Sequence, residues 1–335
     1  MTLSRTTFRR SIGAGLLLAG LAAHLVAGFF TQELIAEAAI LAIFAMSLDL
    51  LATCGLISFG HAGLLGVGAY TFAGLTVNLG LSPLLALVAA VIAGATVASL
   101  VGLLILRTTG AYFIMVTLAA AEMLYAWAFR AKAFNGADGM GGIPRLDLTG
   151  IGIDLNAPGS FAVFTIALCG VVWLLLELIL VSPYGRTLDA VRQNASRVAA
   201  LGGRVFVFRL TALALSGAIA ALAGALKVQH TNFVSPDLVS WFVSGDVLIA
   251  VVIGGLGTLV GGMLGATLLV LLKDLLSSSI GYWYLCLGII FMVVALAMPQ
   301  GIVGSVLAWL DRRQPDDNCN DDNNSETGAR GGDPP

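Results

Sequence analysis

Ten apolar stretches divide the first 300 residues, and a chain patterned this way must fold in a membrane. They run over residues 11–30, 34–52, 64–79, 84–106, 111–129, 161–181, 205–226, 243–253, 263–276 and 282–298. A helix needs roughly 20 apolar residues to cross a bilayer. Several stretches are shorter, and half-length or broken helices are expected where backbone lines a cavity inside protein. Only 11% of residues are charged, where a soluble domain carries about 25%. The expected fold is all-α: a polytopic transmembrane helical bundle of about ten spans, some of them short or broken.

The arginines set an orientation. Cytoplasmic loops carry the excess of Lys and Arg. With Arg5, Arg9 and Arg10 inside, Arg107 falls inside after the fourth stretch, a five-arginine island inside after the sixth, and Arg312 and Arg313 inside after the tenth. Both termini are then cytoplasmic. The loop over 130–160 falls outside, with Asp138, Asp147 and Asp154 but also Arg130, Lys132 and Arg145 as exceptions. The start resembles a secretory signal, yet no polar mature domain follows its apolar run, so a first span with a basic flank inside is the simpler reading. The net charge of -2 is a property of the tail: residues 311–335 hold seven acids and three arginines, and the remainder has 14 basic and 12 acidic residues. Neither balance suits nucleic acid. Almost no apolar residue occurs in 311–335, so that tail is expected to be disordered, with residues 1–310 as the membrane domain.

The island carries Arg186, Arg192, Arg197, Arg204 and Arg209 against one acid, Asp189. It reads as a short helix after a turn, started by Pro183 and Gly185 and ended by Gly202 and Gly203. Val191, Ala195, Val198 and Leu201 give it an apolar face that could dock in a soluble partner, and the arginines could anchor it to anionic headgroups. A basic loop that only satisfies the inside rule is the alternative.

Polar residues within the apolar stretches are the other candidates. Residues 47–71 combine Asp49, Ser58 and His61 with Gly55, Gly60, Gly63, Gly66 and Gly68. A charge at membrane depth is costly and usually faces protein or water. The segment is therefore a transport path with a helix break, or a site of close helix packing. His61 has no second histidine near it, which argues against a metal. Glu122 lies deep in its stretch. Asp246 could line a polar route or interact with a helix N-terminus, and Glu37 and Glu177 are expected nearer the interfaces. Residues 135–144 read as a flexible, turn-rich outer loop. Gly257, Gly261 and Gly265 fit close helix approach or a re-entrant turn.

No Gly-Lys dipeptide occurs, hence no phosphate loop of the Walker type, and no serine elbow or zinc motif is present. The chain is not expected to be an enzyme. Cys54, Cys169, Cys286 and Cys319 show no metal or redox spacing and read as spectators.

Four blocks together resemble the permease family of branched-chain amino-acid ABC importers, in particular the M-type inner-membrane subunit. They are Ser47-Leu-Asp-Leu-Leu with Gly55-Leu-Ile-Ser-Phe-Gly-His-Ala-Gly and Gly66-Val-Gly-Ala-Tyr; residues 135–144; Ser182-Pro-Tyr-Gly-Arg with Ala190-Val-Arg-Gln-Asn and Ala199-Ala-Leu-Gly; and Phe233-Val-Ser-Pro-Asp with residues 252–265. The chain departs from the pattern at Asp49, where Asn is expected, and at Met263, where Pro is expected. The resemblance implies a multi-pass protein of the bacterial inner membrane. Its partners would be a second homologous permease, two cytoplasmic ABC ATPases that consume the ATP, an extracytoplasmic substrate-binding protein, and membrane lipid. The chain itself would bind no cofactor. Residues 182–205 would be the coupling segment, with Tyr184, Gly185, Arg186, Asp189, Arg192, Asn194, Ala199, Ala200 and Gly202 meeting the ATPase. Asp49, Ser58, His61 and Glu122 are candidates for the translocation path. Urea or short amides are the alternative cargo, and an ion-coupled carrier or channel using Asp49 and Glu122 is the rival machine.

Overall fold

The computed structural model describes residues 2–26, 28–108, 110–147, 155–279, 281–298 and 301–305. Among these are the α-helices α1 (Thr2–Val26), α2 (Phe29–Ala52), α3 (His61–Ala73), α4 (Pro83–Ile105), α5 (Ala111–Arg130), α6 (Pro158–Val181), α7 (Pro183–Ala200), α8 (Val205–Thr231), α9 (Trp241–Gly254), α10 (Val260–Ser279) and α11 (Trp283–Ala297). Two short strands, β1 (Met140–Gly141) and β2 (Phe233–Val234), pair antiparallel. The apolar stretches fall on helices, the first of them divided between α1 and α2, and the basic island covers α7, with Arg204 at the N-cap of α8 and Arg209 on α8. Phe29 and Phe30 belong to α2 rather than α1, because the chain is extended at Gly28. The tail at 311–335 lies outside the described residues.

Helices α2, α4, α5, α6, α8 and α10 are long and apolar enough to cross a membrane. The fold is an all-α polytopic bundle. Helix α8 is its axis, packed against α2, α3 and α4. The α4–α8 crossing is made by small residues. Ala86, Ala90, Gly94, Ala98 and Gly102 recur every fourth position on the buried face of α4. Any Cβ at Gly217 would strike Ala98 Cβ and the Gly94 carbonyl. Where lipid is as apolar as leucine, close backbone approach of this kind supplies the helix attraction. Outward faces are apolar: Leu84, Ile92 and Leu104 on α4, and Leu174 and Leu178 on α6, are exposed. Such faces belong against acyl chains.

Helix α9 has 14 residues, about 20 Å at 1.5 Å per residue, too short for a ~30 Å hydrocarbon core; α3 has 13 and runs on without a break into a five-residue π-helical turn at Gly74–Asn78. Irregular chain precedes both helices: residues 55–60 before α3, and residues 232–240, with β2 and a 3-10 turn at Pro236–Val239, before α9. A helix that starts inside protein exposes its first amides, and here side chains cover them. Thr117 Oγ1 accepts from Phe59 N (3.3 Å), Ser58 Oγ from Gly60 N (3.1 Å) and Ser244 Oγ from Ala62 N (2.9 Å).

The segment at 135–144 is not a loose loop. β1 pairs with β2 through Met140↔Val234 and Gly141↔Phe233, and Met140 and Ile143 are buried. Arg145 clamps the following residues. Its Nε donates to Gln229 O (3.1 Å), its Nη1 donates to Leu155 O (3.2 Å), and its guanidinium sits 4.7 Å from the Phe161 ring centre. The composition is that of a turn, but long-range pairing and a cation at the α8 C-terminus hold it fixed. That role also accounts for Arg145 as an exception to the charge pattern.

Candidate functional site: the helix α7 and the broken helices behind it

Helix α7 begins on Pro183, which fits a first helical position, and ends in a Schellman motif. Gly203 N donates to Val198 O (2.9 Å) and Gly202 N to Ala199 O (3.0 Å), with Gly202 at φ +85°. It is not one straight helix. Asn194 is non-helical (φ −159°, ψ 94°), and its Oδ1 accepts from Arg197 N (2.9 Å) and Ser196 Oγ (2.7 Å). It is the N-cap of a second short segment. The kink has a sequence signal, an Asn three residues before a helical amide, that a straight helical reading overlooks.

The residues expected to meet an ATPase divide into two groups. Tyr184, Gly185, Asp189, Arg192 and Asn194 are occupied within the chain. Tyr184 Oη lies 2.7 Å from Thr211 Oγ1 on α8, and burial raises the Tyr184 phenol above its ordinary pKa. Gly185 is buried against the Leu180 backbone, leaving no room for a Cβ. Asp189 accepts from Arg192 Nη2 (2.8 Å) and Gln193 Nε2 (2.9 Å). Arg186, Ala199, Ala200 and Gly202 are exposed. The apolar docking face is revised accordingly. Val191 is 1% exposed and packs inward, whereas Leu201 is 84% exposed. The kink turns the second segment outward and leaves Leu201 at its tip.

Behind α7 lie both breaks in the bundle. Gly55, at φ +76°, faces Arg192, whose Cα would stand 3.6 Å from a Cβ there; a Cβ at Gly257, at φ +79°, would stand 3.5 Å from Arg192 Nη1. Gly55 leads from α2 towards α3, and Gly257 is in the turn from α9 to α10. Asp49 binds that same turn: its Oδ1 accepts from Gly257 N (2.6 Å) and its Oδ2 from Leu259 N (2.5 Å). Gly254 packs on Gly261, and Ala250 on Gly265, so the glycine run both closes the turn and brings α9 against α10.

The path candidates are not gathered into one site. Asp49 and His61 are both fully buried. The Ser216 hydroxyl donates to Ser47 O (2.6 Å), so His61 Nε2, 2.7 Å from Ser216 Oγ, is the donor to it. Ser58 lines a small apolar cleft with Thr117, Phe113 and Leu213. Glu122 is exposed, on the outer face of α5 with Met115, Met123 and Trp127, and makes no ion pair among the described residues. Glu177, expected near an interface, is 2% exposed and lies 3.8 Å from Arg10.

Sequence reasoning missed a set of charges. Lys227 Nζ meets Glu37 Oε1 at 2.7 Å, and Lys273 Nζ meets Asp246 Oδ2 at 2.5 Å. Asp246 is thus an ion-pair partner rather than a helix-end group. The available signal was a lysine inside one apolar stretch, Lys273, and another directly after a second, Lys227, in a chain with only three lysines.

A bundle of apolar helices, two of them broken inside the protein and backed by one kinked polar helix, defines a membrane permease. The chain belongs to the family of branched-chain amino acid transport system permease components, whose family model matches residues 30–297. It is 29% identical over 272 residues to the high-affinity branched-chain amino acid transport system permease protein LivM of Escherichia coli, covering 74% of this chain and 64% of that protein. The match to LivM of Salmonella typhimurium has the same extent. A probable branched-chain amino acid transport permease protein LivM of Methanocaldococcus jannaschii is 28% identical over 160 residues, 43% of this chain and 46% of that one. The chain therefore spans about 64% of the length of the first two relatives. No solved structure matches it. It is a multi-pass protein of the inner membrane.

Proposed function

We propose that the chain is one permease subunit of an ATP-driven importer for branched-chain or related amino acids, with residues 1–310 as its membrane domain and α7 as the element that receives force from the ATPases. The observation that carries this reading is the seat of α7: its outer segment is exposed while Arg192 rests against both Gly55 and Gly257. ATP binding would close two separate cytoplasmic ATPases, and α7 would move with them. Helices α3 and α9 would then be repositioned so that the path opens to alternate sides. An extracytoplasmic binding protein would deliver the cargo.

Glu122 supports a second permease subunit. An acid in the middle of a 20-residue apolar helix is costly against lipid, so the α5 face is where a partner permease or an aqueous path would lie. Against the rival ion-coupled carrier, both oxygens of Asp49 are held by backbone amides, leaving it poorly placed as a relay.

The test is Leu201→Arg in the co-expressed importer. Leu201 is largely exposed, so the variant should keep its melting midpoint while losing ATPase association or substrate-stimulated ATP hydrolysis. Gradient-driven accumulation by this chain alone in liposomes would overturn the reading.

A further inference from the structure

A cavity of about 170 Å³ lies among α2, α3, α8, α9 and α10, and both lysine–carboxylate pairs line it. This is below the ~300–1,000 Å³ of pockets for drug-sized ligands and fits one small solute. Ile40, Phe44, Leu65 and Leu269 form much of its apolar wall. The four charged side chains keep part of their surface open: 23% for Lys227, 45% for Glu37, 28% for Lys273 and 37% for Asp246. The charge of Lys273 also acts on Glu37, so the two pairs form one electrically neutral group.

Burying ions is costly unless each meets a partner of opposite sign. One pair facing a gap would attract water or a counter-ion. Two pairs facing the same gap, with an aliphatic wall, are complementary to a solute that carries both signs close together and an apolar side chain. We propose that this cavity binds a single aliphatic amino acid as its zwitterion, with the carboxylate received by Lys227 and Lys273 and the ammonium by Glu37 and Asp246. The neutral charge sum disfavours a lone acid or a lone amine, because either would leave one sign inside without its partner. The site rests on the importer reading for its place in transport. Lys227 lies one turn before the end of α8 that carries β2, the side from which a binding protein would release cargo.

The test uses the whole importer in nanodiscs without its binding protein, probed with radiolabelled L-leucine. 4-Methylpentanoate and isoamylamine, which are leucine without its amine and without its carboxylate, serve as competitors. Leucine should bind, with each competitor about 100-fold weaker or worse, as expected where a missing polar group leaves buried partners unpaired. Lys273→Met and Glu37→Gln, each checked for assembly and melting midpoint, should weaken leucine about 10- to 100-fold. Competitors equal to leucine, or both variants binding leucine as the unaltered importer does, would overturn the proposal. The competitor comparison needs no substitution, so a variant that fails to assemble does not decide the matter. If α7 variants uncouple ATP hydrolysis but leucine does not bind, the cavity assignment fails alone. If the chain transports without ATPases, the importer reading fails and leucine binding still judges the cavity.

Discussion

The Asp49 carboxylate accepts a 2.5 Å hydrogen bond from the amide of Leu259, 210 positions further along the chain. Leu259 has φ +55°, a left-handed conformation that an L side chain with a Cβ resists, and the carboxylate holds it there while its other oxygen takes the Gly257 amide.

Asp49→Ala should therefore release the α9–α10 turn. Each buried amide left without an acceptor costs about 1–3 kcal/mol. The melting midpoint in detergent should drop, and protease should cut near residues 255–259 first. Asp49→Asn should be milder, because a carboxamide keeps one acceptor oxygen and can leave only one of the two amides unpaired. Equal melting of all three proteins would show that the turn does not need this anchor.

Gly139 sits at φ +72°, and a Cβ there would meet Val234 O and the Phe233 ring. Gly139→Ala should unpair β1 from β2 and cost more than about 1 kcal/mol, the usual penalty for Ala where glycine holds a positive φ. Faster amide exchange at Met140 and Val234 is the measurement, and unchanged protection would refute it.

Glu122→Gln removes a charge from an exposed position on α5 and keeps the side chain's size, so no packing within the chain is lost. Uptake by the assembled importer should fall while the melting midpoint holds. Full uptake would place α5 away from both the partner permease and the path.

The helices were legible because apolar periodicity and the distribution of arginine are properties of the chain itself. Pro183 and the Gly202-Gly203 pair marked the ends of α7 for the same local reason. The sheet was not legible: Met140 and Val234 are far apart in sequence, and two-residue strands carry no periodic signal. Asp49 stood out as a charge at depth, but its partners are backbone amides, which composition does not reveal. The charged cavity was hidden for a related reason. Glu37, Lys227, Asp246 and Lys273 lie on four different helices, and nothing in the local sequence of any one of them points to the other three.

Arg192 abuts Gly55 and Gly257 at once, one leading into α3 and the other joining α9 to α10. If α7 receives the load as proposed, one side chain would pass it to both places. In the proposed importer the chain entering α3 and the α9–α10 turn would then be driven together, and the two sides of the bundle would share one stroke.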